Sequence, residues 1–199
     1  MKKIAIPALI AAIIGPIQSV LGWAISGSLW PGYDPIRKTI SDLAADDSPV
    51  QGLQTSFFVL GGVLSLIAAV YARTLAFPGR SVIFLGGIAT FGFAYFTTPS
   101  QDSSSEMHRI FAIASFALFS AWPLFSMRIK SGYPAILSPL SSILATLFFT
   151  AISLWFLSTW TDPAATNVGL VERIIATAQT LYLSIVIWVC WFQQRASKP

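Results

Sequence analysis

An all-α integral membrane bundle of six transmembrane helices, with a short interfacial helix after the first, is predicted by three observations. Hydrophobic residues make up 55% of the 199 and charged ones only 10%, whereas a soluble domain carries about 25% charged residues. Six apolar stretches each approach the roughly 20 residues needed to cross a bilayer. The charges between them sort by sign onto two sets of loops.

The stretches are taken in chain order. The first, 4–28, follows Lys2 and Lys3 as a signal peptide would, but it exceeds the usual 7–15-residue apolar core and is read as a retained helix. The second and third run over 53–71 and 82–98, the fourth over 109–127, the fifth over 134–157 and the sixth over 171–192. The first five carry no charge in their apolar part; Glu172 and Arg173 stand at the start of the sixth. Pro7, Gly15 and Pro16 are expected to kink the first helix and Pro123 the fourth, where neighbouring helices satisfy the freed backbone groups. Gly61, Gly62 and Ser65 on the second and Gly86, Gly87, Thr90 and Gly92 on the third are small enough to let helix backbones approach closely. The whole chain, 1–199, reads as one domain with no internal repeat.

One set of connections holds both termini and the loops 72–81 and 128–133. It carries Lys2, Lys3, Arg73, Arg80, Arg128, Lys130, Arg195 and Lys198 and no acid. The other set, loops 29–52, 99–108 and 158–170 with their helix ends, carries all eight acids and only Arg37, Lys38, Arg109 and Arg173 as bases. Lys and Arg concentrate on the cytoplasmic side of short loops. Cytoplasmic termini in a cell (inner or plasma) membrane are therefore expected. Trp23, Trp30, Tyr33, Trp155, Trp160, Trp188 and Trp191 lie near span ends, the depth that amphipathic rings favour.

The net charge of +4 and pI near 9.5 are accounted for by these flanking bases, so no nucleic acid partner is expected. The mean hydropathy of +0.71 points to membrane lipids instead. The single cysteine, Cys190, excludes an intrachain disulfide and a cysteine-based metal site, and reads as a small buried hydrophobe.

Chemistry-bearing residues gather on the acidic side. Asp34 followed by Pro35 is a helix-start pattern, N-cap then N1. The helix it would open places Asp34, Arg37 and Ser41 on one face and Ile36, Ile40 and Leu43 on the other, the pattern of an amphipathic helix lying at the interface. His108 is the only histidine; it falls in the first turn of the fourth span, which Ser104 or Ser105 would cap. Arg173 opens a helix, where the dipole disfavours a cation, so a carboxylate partner or a bound anion is expected beside it.

The run Tyr33-Asp34-Pro35-x-Arg37-x-Thr39-Ile40-Ser41-Asp42-Leu43, after a Trp-rich first helix, resembles the DUF998 family of bacterial and archaeal membrane proteins. The elements Pro99…His108 and Gly169-Leu170-x-Glu172-Arg173 are similar to it as well. The resemblance implies a six-helix membrane protein with a shared polar cluster on the outer side, matched here by Asp34, Arg37, Ser41, Asp42, His108 and Arg173. It implies no activity.

Three functional expectations follow. In the first, an enzyme hydrolyses a lipid or lipid-linked substrate. Ser41 is its nucleophile, His108 its base, and Asp34, Asp42 or Asp102 the orienting carboxylate, as in triads on many folds. Arg37 and Arg173 would bind a phosphate or carboxylate of the substrate. A metal form would use His108 with two aspartates; the multi-histidine zinc hydrolases are disfavoured by the single imidazole, and no metal ligand is assigned. In the second, the same cluster caps a cavity that binds or translocates a lipid or small amphiphile without turnover. The absence of charge inside the helices argues against ion coupling. In the third, the chain is a structural subunit of a larger membrane complex. The bland alternative gives each group a purely local role. Asp34 is then a cap, Arg37 a partner to Asp34 or Asp42, and His108 a hydrogen-bonding partner of a loop carbonyl.

Overall fold

The computed structural model describes residues 3–101, 103 and 105–196. Six of its helices are long and apolar enough to cross a membrane. These are α1 (Ile6–Ser28), α3 (Gln51–Tyr71), α4 (Phe77–Tyr95), α5 (Glu106–Ser126), α6 (Pro139–Thr161) and α7 (Val168–Ala196). The short α2 (Ile40–Leu43) follows the first. Each span packs on the next in the order α1, α3, α4, α5, α6, α7, and α7 returns to α1. The result is a closed ring of alternating direction.

On α1 mostly small side chains face inward. The buried positions are Ala8, Leu9, Ala11, Ala12, Gly15, Gln18, Gly22 and Ser26, largely the three-and-four spacing of one helix face. Ile10, Ile13, Ile17 and Leu21 point outward and are exposed. In water such a surface would be a liability; in lipid it is the expected coat, because association there depends on close packing and not on burying oil. Gly22 and Gly62 show the spacing required. A Cβ on Gly22 would stand 2.8 Å from Phe57, and one on Gly62 2.8 Å from Phe91.

The two ends of the ring are joined differently. At the basic end Ile4 pairs with Ala72, and its N–H donates to Gln194 Oε1 at 3.0 Å, so both chain ends meet the α3–α4 loop. The arginines here satisfy backbone carbonyls, Arg80 those of the last turn of α3, which have no partner within their own helix, and Arg128 one of the following loop. Arg80 donates to Ala69 O (2.5 Å) and Val70 O (2.9 Å), and Arg128 donates to Thr74 O (2.7 Å).

At the acidic end the loop 29–50 folds over the bundle. Asp46 fastens it, its N–H donating to Thr98 O at 2.9 Å while its carboxylate accepts from Thr97 Oγ1 at 2.6 Å. The short helix starts later than its Asp-Pro signal suggests. Asp34 Oδ1 accepts from Ile36 N (2.9 Å) and Asp34 O from Lys38 N (2.8 Å), and the chain runs through turns to Thr39. Thr39 is the true N-cap. Its Oγ1 accepts from Asp42 N (3.1 Å), and its own N–H donates to Asp42 Oδ2 (2.7 Å), a reciprocal capping box. Burial holds the Asp42 carboxyl above its usual range, against the pull of these bonds. The apolar side of α2 packs into the bundle. Ile40, Leu43, Ala44 and Ala45 are all buried, while Ile36 stays exposed.

The displacement has a cause. Carbonyls that would have continued a helix from Pro35 are claimed by α7. Arg173 Nη1 donates to Pro35 O (2.8 Å), Lys38 O (2.9 Å) and Gly169 O (2.9 Å), and Nη2 donates to Tyr33 Oη (2.6 Å). Tyr33 Oη in turn donates to Thr39 O at 2.6 Å; burial pushes its phenol well above the usual range, so it remains a donor. Trp23 and Tyr33 lie under the guanidinium at 5.2 and 5.6 Å. The chain can pass this close only because position 169 has no side chain: a Cβ there would collide with the carbonyls of Lys38 and Pro35.

Two expectations follow for protein purified in detergent. Gly169→Ala loses about 1–3 kcal/mol of stability, the range for forcing a methyl into packed structure, read as a lowered thermal midpoint. Arg173→Lys, which keeps the charge but not the fork, loses about 2 kcal/mol. By contrast Arg37→Ala changes stability by about 0.5 kcal/mol or less. Equal midpoints for the two arginine variants would refute the clamp.

Candidate functional site

The structure brings Ser41 and His108 together from elements 67 positions apart. Ser41 occupies the second position of α2, where the capping box directs its side chain towards the bundle. His108 lies in the first turn of α5, whose N-cap is Ser105, Oγ accepting from His108 N at 3.3 Å. The imidazole is 2% exposed. Its Nδ1 meets Phe93 O at 3.0 Å and Phe96 O at 2.9 Å, and its Nε2 meets Ser41 Oγ at 3.0 Å. Carbonyls only accept, so Nδ1 carries the proton and Nε2 of the neutral ring offers its lone pair to the Ser41 hydroxyl. The two carbonyls belong to the last turn and C-cap of α4, where backbone acceptors lack helical partners. The histidine thus completes the end of one helix while serving a serine on another. Phe93 packs edge-on against the ring at 5.8 Å.

On the other side of Ser41 is Glu172, itself buried. One of its carboxyl oxygens accepts the Ile40 N–H. In the sequence Glu172 is only a helix-end acid. Its role in holding α2 is legible only once α7 is known to pass beneath that helix.

The other residues read from the sequence are placed as follows. Asp34 and Arg37 form a surface pair at 3.6 Å, their side chains 45% and 69% exposed, and Asp34 turns to its own loop rather than to His108. Asp42 is held in the capping box. Arg173 is engaged by carbonyls, Tyr33 and two rings, with no carboxylate in ion-pair range among the described residues. Asp102 and Ser104 lie outside the described residues. Among the described residues, no three His, Cys, Asp or Glu side chains gather to hold a metal ion.

Ser41 and Glu172 line the acidic-end part of a cavity inside the ring, bounded by α1, α3, α4, α5 and α7. It runs down α7 from Glu172 to Ile187, fifteen residues or roughly 22 Å of helix rise. Its wall is mostly apolar, with Phe57, Phe93, Phe116 and Phe119 among the larger groups. Three glutamines, Gln18 on α1, Gln54 on α3 and Gln179 on α7, also line it; a reading of the sequence by charge passes them over. Their signal is present nonetheless, since an amide inside an apolar span is costly in lipid.

No curated protein and no solved structure matches the chain. A family model described as "Protein of unknown function (DUF998)" matches residues 13–189. That span takes in all or most of each of the six long helices, the short α2 and both partners of the Ser41–His108 pair, and the chain therefore belongs to the DUF998 family.

Proposed function

We propose that the protein is a membrane-embedded serine hydrolase acting on an ester-linked amphiphile, with Ser41 as nucleophile and His108 as general base. One observation carries the reading: a buried imidazole, its Nδ1 held by two carbonyls, has its Nε2 3.0 Å from the Ser41 hydroxyl in the wall of a mostly apolar cavity. A serine is a weak nucleophile until a positioned base takes its proton.

The steps balance with these groups alone. Ser41 Oγ bonds to the ester carbon while its proton passes to His108 Nε2. The tetrahedral centre collapses, the leaving alkoxide takes that proton, and Ser41 remains acylated. A water then gives a proton to Nε2 and its oxygen to the acyl carbon. The carboxylic acid leaves, and the proton returns to Ser41 Oγ. Phe93 O and Phe96 O stand behind Nδ1 where many triads place a carboxylate; they orient the ring and offer partial negative charge to the imidazolium. Glu172 is a positioning residue, holding α2 through Ile40 N. The acyl chain occupies the cavity.

A second reading, a non-catalytic binder of the same class of amphiphile, draws support from the carbonyl pair standing where a carboxylate would: it stabilises an imidazolium less than an ion does. Arg37, exposed at the rim, is the residue proposed to meet an anionic headgroup. Arg173 acts through the loop it holds. The excess of bases at the end bearing both termini supports cytoplasmic termini and a site facing outward.

A fluorophosphonate probe applied to the purified protein is expected to label Ser41. Ser41→Ala leaves no label, and His108→Ala slows both labelling and release of fatty acid from a long-chain nitrophenyl ester by at least about 10³-fold. Unlabelled wild type with an intact thermal transition would eliminate the hydrolase and leave the binder. Orientation has its own check in a bacterial host. A green fluorescent protein fused to the C-terminus is expected to fluoresce and an alkaline phosphatase fused there to be inactive; the reverse pattern would put the site on the cytoplasmic side.

A further inference from the structure

The cavity below Ser41 is not uniformly apolar. Gln54 is 2% exposed and Gln18 8%, and both line the cavity wall. The amide oxygen of each is buried with no hydrogen-bond partner among the described residues. The hydroxyls around them are occupied differently. Ser65, Thr90, Thr180 and Ser184 donate to carbonyls of their own helices, and Gln179 donates to Phe116 O and Ser120 Oγ. Two amide oxygens are thus left buried and unmatched in residues of the cavity wall, within an apolar bundle where an unmatched polar group costs several kcal/mol.

Their levels differ. Gln54 is in the first turn of α3, close to the acidic end. Gln18 lies beside Gly61, where a Cβ would stand 3.2 Å from its Nε2. Gly61 is seven residues beyond Gln54, or about 10 Å deeper along the helix. A plain acyl chain entering from Ser41 would leave both amides unmatched. A chain carrying a hydroxyl would match them. A hydroxyl donates and accepts, so it suits an amide edge in either orientation.

We propose that the cavity is a selective chamber for amphiphiles whose chain bears a hydroxyl, read by Gln18 in mid-membrane and Gln54 near the acidic end. This rests on the hydrolase reading only in using the same cavity, and it names the substrate class. Retention of the chain does not require Ser41 chemistry.

The test is therefore binding, not turnover. Full-length protein carrying Ser41→Ala in detergent micelles is titrated with stearate and with a mid-chain hydroxystearate. The hydroxylated chain is expected to bind about fivefold more tightly, the factor given by one net hydrogen bond. Gln18→Leu, of similar volume and compatible with lipid-depth packing, removes the preference while stearate affinity holds or rises. Three results would overturn the proposal. They are equal affinities in the parent, as when water satisfies the amides; a preference that survives Gln18→Leu combined with Gln54→Leu; and failure of both chains to bind. A wild-type Ser41 that takes no label, with the preference intact, would support the chamber and count only against the hydrolase.

Discussion

The acidic end of this bundle depends on one buried cation. Arg173 sits where its own helix dipole is unfavourable, yet it holds three backbone carbonyls and a phenol, with two aromatic rings beneath it. A guanidinium can do this because its donors lie in one plane and fork. The consequences run outward from it. With Pro35 O and Lys38 O engaged, the loop cannot wind into a helix at Asp34, so α2 is capped by Thr39 instead. With α2 begun there, Ser41 turns inward. Glu172, next in the chain, takes the Ile40 N–H and holds the same helix from below.

The second constraint is how helix ends are completed inside a bilayer. Terminal carbonyls have no helical partner and little water to replace one. At the basic end Arg80 serves those of α3; at the acidic end of α4, His108 does. This use of the imidazole fixes its tautomer, and the fixed tautomer leaves Nε2 as an acceptor for Ser41. Satisfaction of the backbone and the hydrogen-bonded Ser41–His108 pair thus come from the same three bonds. Its two ring nitrogens divide the work, Nδ1 meeting the carbonyls that end α4 and Nε2 meeting Ser41 Oγ.

The cavity follows from inverted packing. Where small residues face inward and large ones face lipid, helices approach closely along their contact lines and leave the middle of a six-membered ring unfilled. Gly15, Gly61 and Ala68 line that space, while Ile13 and Val63 face outward. The same inversion lets Gln18 and Gln54 occur within apolar spans.

The sequence alone determined the number of spans, their order and which loops share an end, because spanning length and charge sorting are properties of short segments read one at a time. The capping signal at Ser105 was legible for the same reason. The start of α2 was not, since Asp34-Pro35 is a sound local signal outweighed by a residue 138 positions beyond Pro35. Nor could the polar residues of the acidic end be ranked. Asp34 and Ser41 look equally suitable in the chain, yet one pairs with Arg37 on the surface and the other meets an imidazole. Tertiary structure alone decided this, because lateral convergence depends on the order in which helices close the ring. No local pattern of residues records that order.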